Sequence, residues 1–150
     1  MSDMDQVVVK VSGVHRDTEG EETRIQMMAE GRHCLRGGKH YVLYDDHTIA
    51  QGEKVSTVLK FDEYRAMLLR HGAVEQSQEF LPQEESHSIY RTPFGNLDLS
   101  VRTDSLKVEF GSVSGTLDVE YDLLVDGEPN SRNSLHIEVL SASGGNNRLN

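Results

Sequence analysis

Tyr90 to Val101 reads YRTPFGNLDLSV, and its second half alternates as a strand does. Leu97, Leu99 and Val101 lie on one side, Asn96, Asp98 and Ser100 on the other. Its first half carries Thr92-Pro93-Phe94-Gly95, which a central strand does not tolerate. Proline forfeits one ladder hydrogen bond and pushes Thr92 toward extended conformations, while Gly95 permits a bend or a bulge. The expectation is a long strand, from about Ser86 to Arg102, that turns a corner at Pro93, as a closing barrel requires.

Outward from this stretch, period-2 alternation dominates. Val7, Val9 and Val11 share a side, as do Val55, Thr57, Leu59 and Phe61, then Leu106, Val108 and Phe110. Leu117, Val119, Tyr121, Leu123 and Val125 continue the pattern, and Leu135, Ile137 and Val139 end it. These are half-buried antiparallel strands. Turn signals arrive about every ten residues, among them Gly20, Gly37-Gly38, Asp62-Glu63, Thr103-Asp104 and Asp126-Gly127, which argues for a sandwich or barrel. The stretch DEYRAMLLRHG, 62–72, is open between two readings. Asp62 and Gly72 would cap a helix, and alternation would equally make a strand.

Registers follow from the turns. A Gly37-Gly38 hairpin sets His33 opposite Val42 and His40 opposite Leu35. A turn at Thr103-Asp104 would set Val101 opposite Leu106, Leu99 opposite Val108 and Leu97 opposite Phe110, all inward. A two-residue Asp126-Gly127 turn would instead oppose Val119 to Ser134, so a bulge is expected between Glu128 and Ser134, at Pro129.

At 150 residues the chain fits one domain, with 36% hydrophobic residues. The barrel is expected over residues 6–140, with a flexible N-terminus over 1–5 and a disordered tail over 141–150, SASGGNNRLN. A net charge of -10 repels phosphate backbones, and no basic stripe offsets it, which argues against nucleic-acid binding. No apolar run reaches 18 residues and no secretory signal is visible, so no membrane association is expected. Cys34, the lone cysteine, agrees with a reducing cytoplasm.

Several motifs together resemble the bacterial YwiB-like family. They are Tyr90-x-Thr92-Pro93-Phe94-Gly95-x-Leu97, Gly115-x-Leu117, Tyr121-x-Leu123, Asp126-Gly127-Glu128 and Asn133-x-Leu135-x-Ile137. Gly13-Val14 before an acidic loop, Gly37-Gly38 with Tyr41, and Arg70-x-Gly72-Ala73 join them. The resemblance spans roughly residues 6 to 140. It implies an all-β, single antiparallel up-and-down (meander) barrel of about 8–10 strands, similar to calycins such as lipocalins and fatty-acid-binding proteins. It implies strand over 62–72, and no activity, since the family's function is unknown.

Chemistry-bearing groups are sparse. His33 and His40 fall diagonally on one face, but Cys34 points to the other, and the remaining histidines lack ligand spacing, so no metal or other cofactor is expected. There is no nucleophile elbow and no phosphate loop, so no catalytic residue is assigned. Bulky inward residues favour a filled core over a spacious cup. Tyr41, Arg91, Thr92, Arg102 and Tyr121 could orient a ligand at a rim, and Tyr90, Thr92, Phe94 and Tyr121 are the expected lining. The leading expectation is a non-enzymatic module binding a small apolar or amphipathic ligand at the barrel mouth. The alternative is an interaction protein with a filled core, such as a homodimer.

Overall fold

The computed structural model describes residues 4–50 and 53–142 of the 150. Strands with one apolar side must cover it, and here ten of them curl around a shared interior. They are β1 (Asp5–Asp17), β2 (Glu22–Arg36), β3 (Lys39–Ala50), β4 (Glu53–Phe61), β5 (Ala66–Gly72), β6 (Gln76–Phe80), β7 (Glu85–Thr92), β8 (Gly95–Phe110), β9 (Gly115–Val125) and β10 (Glu128–Ser141). Every pairing is antiparallel, in the spatial order β6-β5-β4-β3-β2-β1-β10-β9-β8-β7. This is the meander barrel that the family resemblance implies, within the sandwich-or-barrel class that the alternation predicts. The first and last strands pair along their length, from Val7 opposite Ser141 to Asp17 opposite Ser131. The seam falls in mid-chain, between β6 and β7. There the only backbone bridge among the described residues joins Glu75 and Arg91, through N–H···O bonds of 3.0 and 2.9 Å. Of the flexible ends expected over 1–5 and 141–150, Asp5 begins β1 and Ser141 ends β10, and residues 1–3 and 143–150 lie outside the described residues.

The Tyr90–Val101 stretch does not turn a corner. Thr92 pairs with Gly95, so Pro93 and Phe94 form a tight hairpin turn between β7 and β8. Pro93 fits the first corner of such a turn because its φ is already set, and Gly95, at φ +134, takes the backbone that a side chain would resist. The Thr92 hydroxyl closes the turn, donating to the Gly95 carbonyl at 2.8 Å and accepting from Phe94 N–H at 3.0 Å.

The hairpin expected at Thr103-Asp104 is likewise corrected. β8 continues through it as one strand of 16 residues against β9, with Val101 opposite Leu123 and Leu106 opposite Val119. The register shifts between Thr103 and Ser105, leaving Asp104 as a bulge. Gln83 anchors it by donating to the Asp104 carbonyl at 2.7 Å, and Arg132 donates to its carboxylate at 2.7 Å. The bulge expected near Pro129 is present, with the register shifting between Pro129 and Ser131. Leu117 thereby meets Ile137, and Val119 meets Leu135. Residues 66–72 are strand. Asp62 does accept the Tyr64 and Arg65 N–H groups, at 2.8 and 3.1 Å, as a helix cap would, but it closes a turn instead. The Lys39 ammonium, donating to the other Asp62 oxygen at 2.6 Å, is the main cause of its lowered pKa, the Tyr64 N–H bond the next.

The interior is divided lengthwise. Val7, Val9, Val42, Leu59, Phe61, Val101, Leu117, Val119, Ile137 and Val139 fill its middle and one end. That end is plugged by His33, His40, Phe61 and Phe110, with Phe61 stacked on His40 at 5.1 Å and edge-on to Phe110 at 4.9 Å. The expected His33–Val42 and Leu35–His40 registers hold. The two imidazoles bond to each other, Nε2 of His33 to Nδ1 of His40 at 2.8 Å, while His33 Nδ1 meets the Asp5 carboxylate at 3.3 Å. Burial, and then the proximity of His33, lower the His40 pKa. The folded state therefore favours neutral His40, and on acidification the unfolded chain takes up the proton first. Thermal melts should show the His40 contribution to stability intact above the ordinary imidazole value of about 6.5, and falling as the pH drops below it. A His40→Gln variant should lose part of that slope.

Candidate functional site

At the opposite end, the end that carries the Pro93-Phe94 turn, polar side chains replace the apolar ones on the inner wall. Ladder pairing explains their gathering. Tyr44 lies opposite Thr57, Thr57 opposite Arg70, and Arg70 opposite Gln76, a row running across β3 to β6. His15 lies opposite Asn133, Asn133 opposite Tyr121, and Tyr121 opposite Thr103, a second row across β1, β10, β9 and β8. The two rows meet inside the barrel, where the Arg70 charge acts on both phenols. Burial pushes the Tyr44 phenol up to about 12 and raises that of Tyr121, and Arg70 opposes both shifts.

Two cavities open from this belt. One, of about 290 Å³, is walled by Leu68, Phe80, Leu99, Val101, Leu123 and Val125, with Arg70, Gln76, Gln78, Tyr90 and Tyr121 supplying polar groups. The other, of about 480 Å³, is more polar, bordered by His15, Asp46, Thr48 and Asn133. Arg70, Tyr121 and Leu135 border both. These are sizes at the lower end of the range for small-molecule sites. The filled core favoured by the bulky inward residues thus occupies only part of the barrel.

The polar groups are mostly ordered by one another. Arg70 Nη1 donates to Gln76 Oε1 at 2.8 Å, Gln76 Nε2 donates to the Ser88 hydroxyl at 3.2 Å, and Ser88 donates to Gln78 Oε1 at 2.9 Å. This chain crosses the β6–β7 seam and ties it with side chains where the backbone ladder is missing. On the other wall His15 Nδ1 meets Asn133 Oδ1 at 3.0 Å, and Asn133 donates to Ser131 at 2.9 Å. The buried Asp46 carboxylate accepts the Thr48 N–H and hydroxyl, at 2.8 and 2.6 Å. Arg70 Nε is buried and has no hydrogen-bond partner.

Of the expected lining residues, Tyr90 and Tyr121 share the wall of the smaller cavity. Thr92 and Phe94 line neither cavity; Thr92 is spent on the turn, and Phe94 stands 97% exposed at its tip. Of the expected rim residues, Tyr41, Arg91 and Arg102 border neither cavity. Sequence reasoning missed Arg70, Gln76, Gln78, Asp46 and Asn133. The signal available for Arg70 was its parity with Ala66 and Leu68, an inward position by alternation.

Comparison with known proteins agrees with this architecture. The chain is 26% identical, over 140 residues, to the uncharacterized beta-barrel protein YwiB of Bacillus subtilis (strain 168), covering 93% of this chain and 94% of that one. The crystal structure of the ywiB protein from Bacillus subtilis superposes with a TM-score of 0.84 at 23% identity, over 95% of each chain. A family model described as "Domain of unknown function (DUF1934)" matches residues 9–137. By that match across most of its length, the chain belongs to the DUF1934 family of YwiB-like β-barrel proteins, whose function is unknown.

Proposed function

We propose that this protein is a non-enzymatic binding module that holds one small amphipathic molecule in the open end of its barrel. The observation that carries the reading is the pair of cavities meeting at Arg70 and Tyr121, one with a largely apolar wall. A concave apolar surface with a few convergent polar groups is what small-molecule recognition needs. The outer face supports a binder dissolved in water, because outward positions such as Lys10, Lys107, Asp118, Asp122 and Arg132 are charged, the reverse of a lipid-facing barrel. The lipocalin-like character that the motifs imply belongs to this proposal. So does a cytoplasmic setting, with Cys34 free and buried.

Native mass spectrometry of gently purified protein, followed by a thermal-shift screen of amphipathic metabolites, tests the reading. The expected result is an added mass or a ligand that raises the melting midpoint by several degrees, lost when Leu99→Trp fills the apolar cavity. Absence of both in the wild-type protein would remove the proposal. A second reading, pairing with another protein or copy, draws on Phe94, which is exposed at the turn tip. Sedimentation of wild type and Phe94→Ser would then show a complex that the variant loses.

A further inference from the structure

We propose that Arg70 is an anion-recognition residue, and that the occupant of the apolar cavity is a monocarboxylic acid whose carboxylate it receives. The inference rests on the binding-module reading above and adds the chemical class of the ligand.

The first support is electrostatic. The chain carries 25 carboxylates against 15 lysines and arginines, so acidic partners are plentiful. Many surface cations find them, as Arg16 finds Glu22, Lys39 finds Asp62, and Arg132 finds Asp104 and Asp122. Others, such as Lys10 and Arg36, stand exposed to water. Arg70 does neither. No acidic oxygen among the described residues lies within 4.0 Å of its nitrogens, although it projects into the barrel. Arg70 is partly buried, with Nε fully so, and a partly desolvated cation gains from a carboxylate in direct contact.

The second support is geometric. Of the guanidinium's donors, Nη1 is used by Gln76, and buried Nε is bound to nothing. Gln76 is itself held by Ser88, so it fixes the plane of the guanidinium. A planar fork with free donors matches a carboxylate, which accepts two parallel hydrogen bonds. The third support is the shape of the surroundings. Leu68, Leu99, Leu123 and Val125 line the smaller cavity beside Arg70, where an apolar body would lie. The larger cavity instead holds Asp46, whose buried carboxylate would repel a second negative charge. That asymmetry favours a single negative charge with its hydrocarbon directed into the smaller cavity.

Isothermal titration of the wild-type protein with octanoate, 1-octanol and octylamine tests the assignment, since the three share a tail and differ in the head. Octanoate should bind about ten- to a hundredfold more tightly than octanol, the range for a charge-assisted hydrogen bond. Arg70→Gln should erase that preference, with octanoate binding no more tightly than octanol to the same variant, and Arg70→Lys should retain only part of it. Equal affinity for octanoate and octanol in the wild type would overturn the anion assignment and leave the binding module standing. Tighter binding of octylamine would overturn it in favour of Asp46. If none of the three binds, the carboxylate proposal fails, and the metabolite screen decides separately whether the module reading fails with it. Because the head-group comparison uses the unaltered chain, it holds even if loss of the Arg70–Gln76 bond loosens the seam.

Discussion

Phe61→Ala is expected to lose about 3–5 kcal/mol of folding stability, the range for emptying a buried aromatic site. Phe61 is 1% exposed, the bulkiest of the fully buried side chains, and it closes the barrel's plugged end. Its ring touches His40 and Phe110, which are themselves in contact, so neither can close the space without breaking another stacking contact. Collapse of the site is thereby restricted, and restricted collapse is what makes a cavity expensive. Urea denaturation compares the variant with wild type, and Phe94→Ala serves as the matched control. The Phe94 ring is 97% exposed, so its removal should change stability by no more than about 0.5 kcal/mol. Similar losses at the two positions would mean that the plug is not packed.

Gly31→Ala is the second large effect expected, a loss of about 1–3 kcal/mol from overpacking. Gly31 lies opposite Tyr44 in the β2–β3 ladder and beside Val7 on β1, on the inner wall. An added methyl group would sit 2.6 Å from the Leu43 carbonyl oxygen, 3.1 Å from a Val9 methyl and 3.3 Å from Tyr44 Cβ. The first neighbour is backbone held in a ladder, so it cannot rotate away. The Tyr44 ring would shift with the strand and disturb the belt that includes Arg70. Gly13→Ala offers the contrast, since its nearest neighbour would be the Ser134 carbonyl at an ordinary 3.8 Å. Chemical denaturation should therefore separate the two substitutions clearly.

The strands were legible in the sequence because the apolar side must alternate, and the inward sets of β1, β4, β9 and β10 follow directly from it. The Pro129 bulge was legible because two rows of fixed parity could not otherwise meet. The same logic misread β8. Its inward residues switch from odd positions, Leu97 to Thr103, to even ones, Leu106 to Phe110, and a turn and a bulge reverse parity identically. Local pattern does not separate them; the partner strand does, and β9 lies across the whole of β8. Placing a turn at Asp104 then left Pro93 without one, so a hairpin was read as a corner. Arg70 stayed hidden for a related reason. An arginine in a short strand ordinarily faces water, and only the barrel's closure places its head beside Tyr121, which is distant in the sequence.

The spatial order of the strands also orders assembly. Nine neighbouring pairs form the sheet, and eight of them join strands consecutive along the chain. The exception is β1 with β10, a zipper between the two extremities of the polypeptide. Two fans of hairpins, β1–β6 and β7–β10, can each form locally, and the β1–β10 ladder is the continuous backbone pairing that unites them. Fraying of β1 or β10 therefore acts on the union of the two fans, whereas the seam between β6 and β7 is held by the Glu75–Arg91 backbone bridge and by side chains.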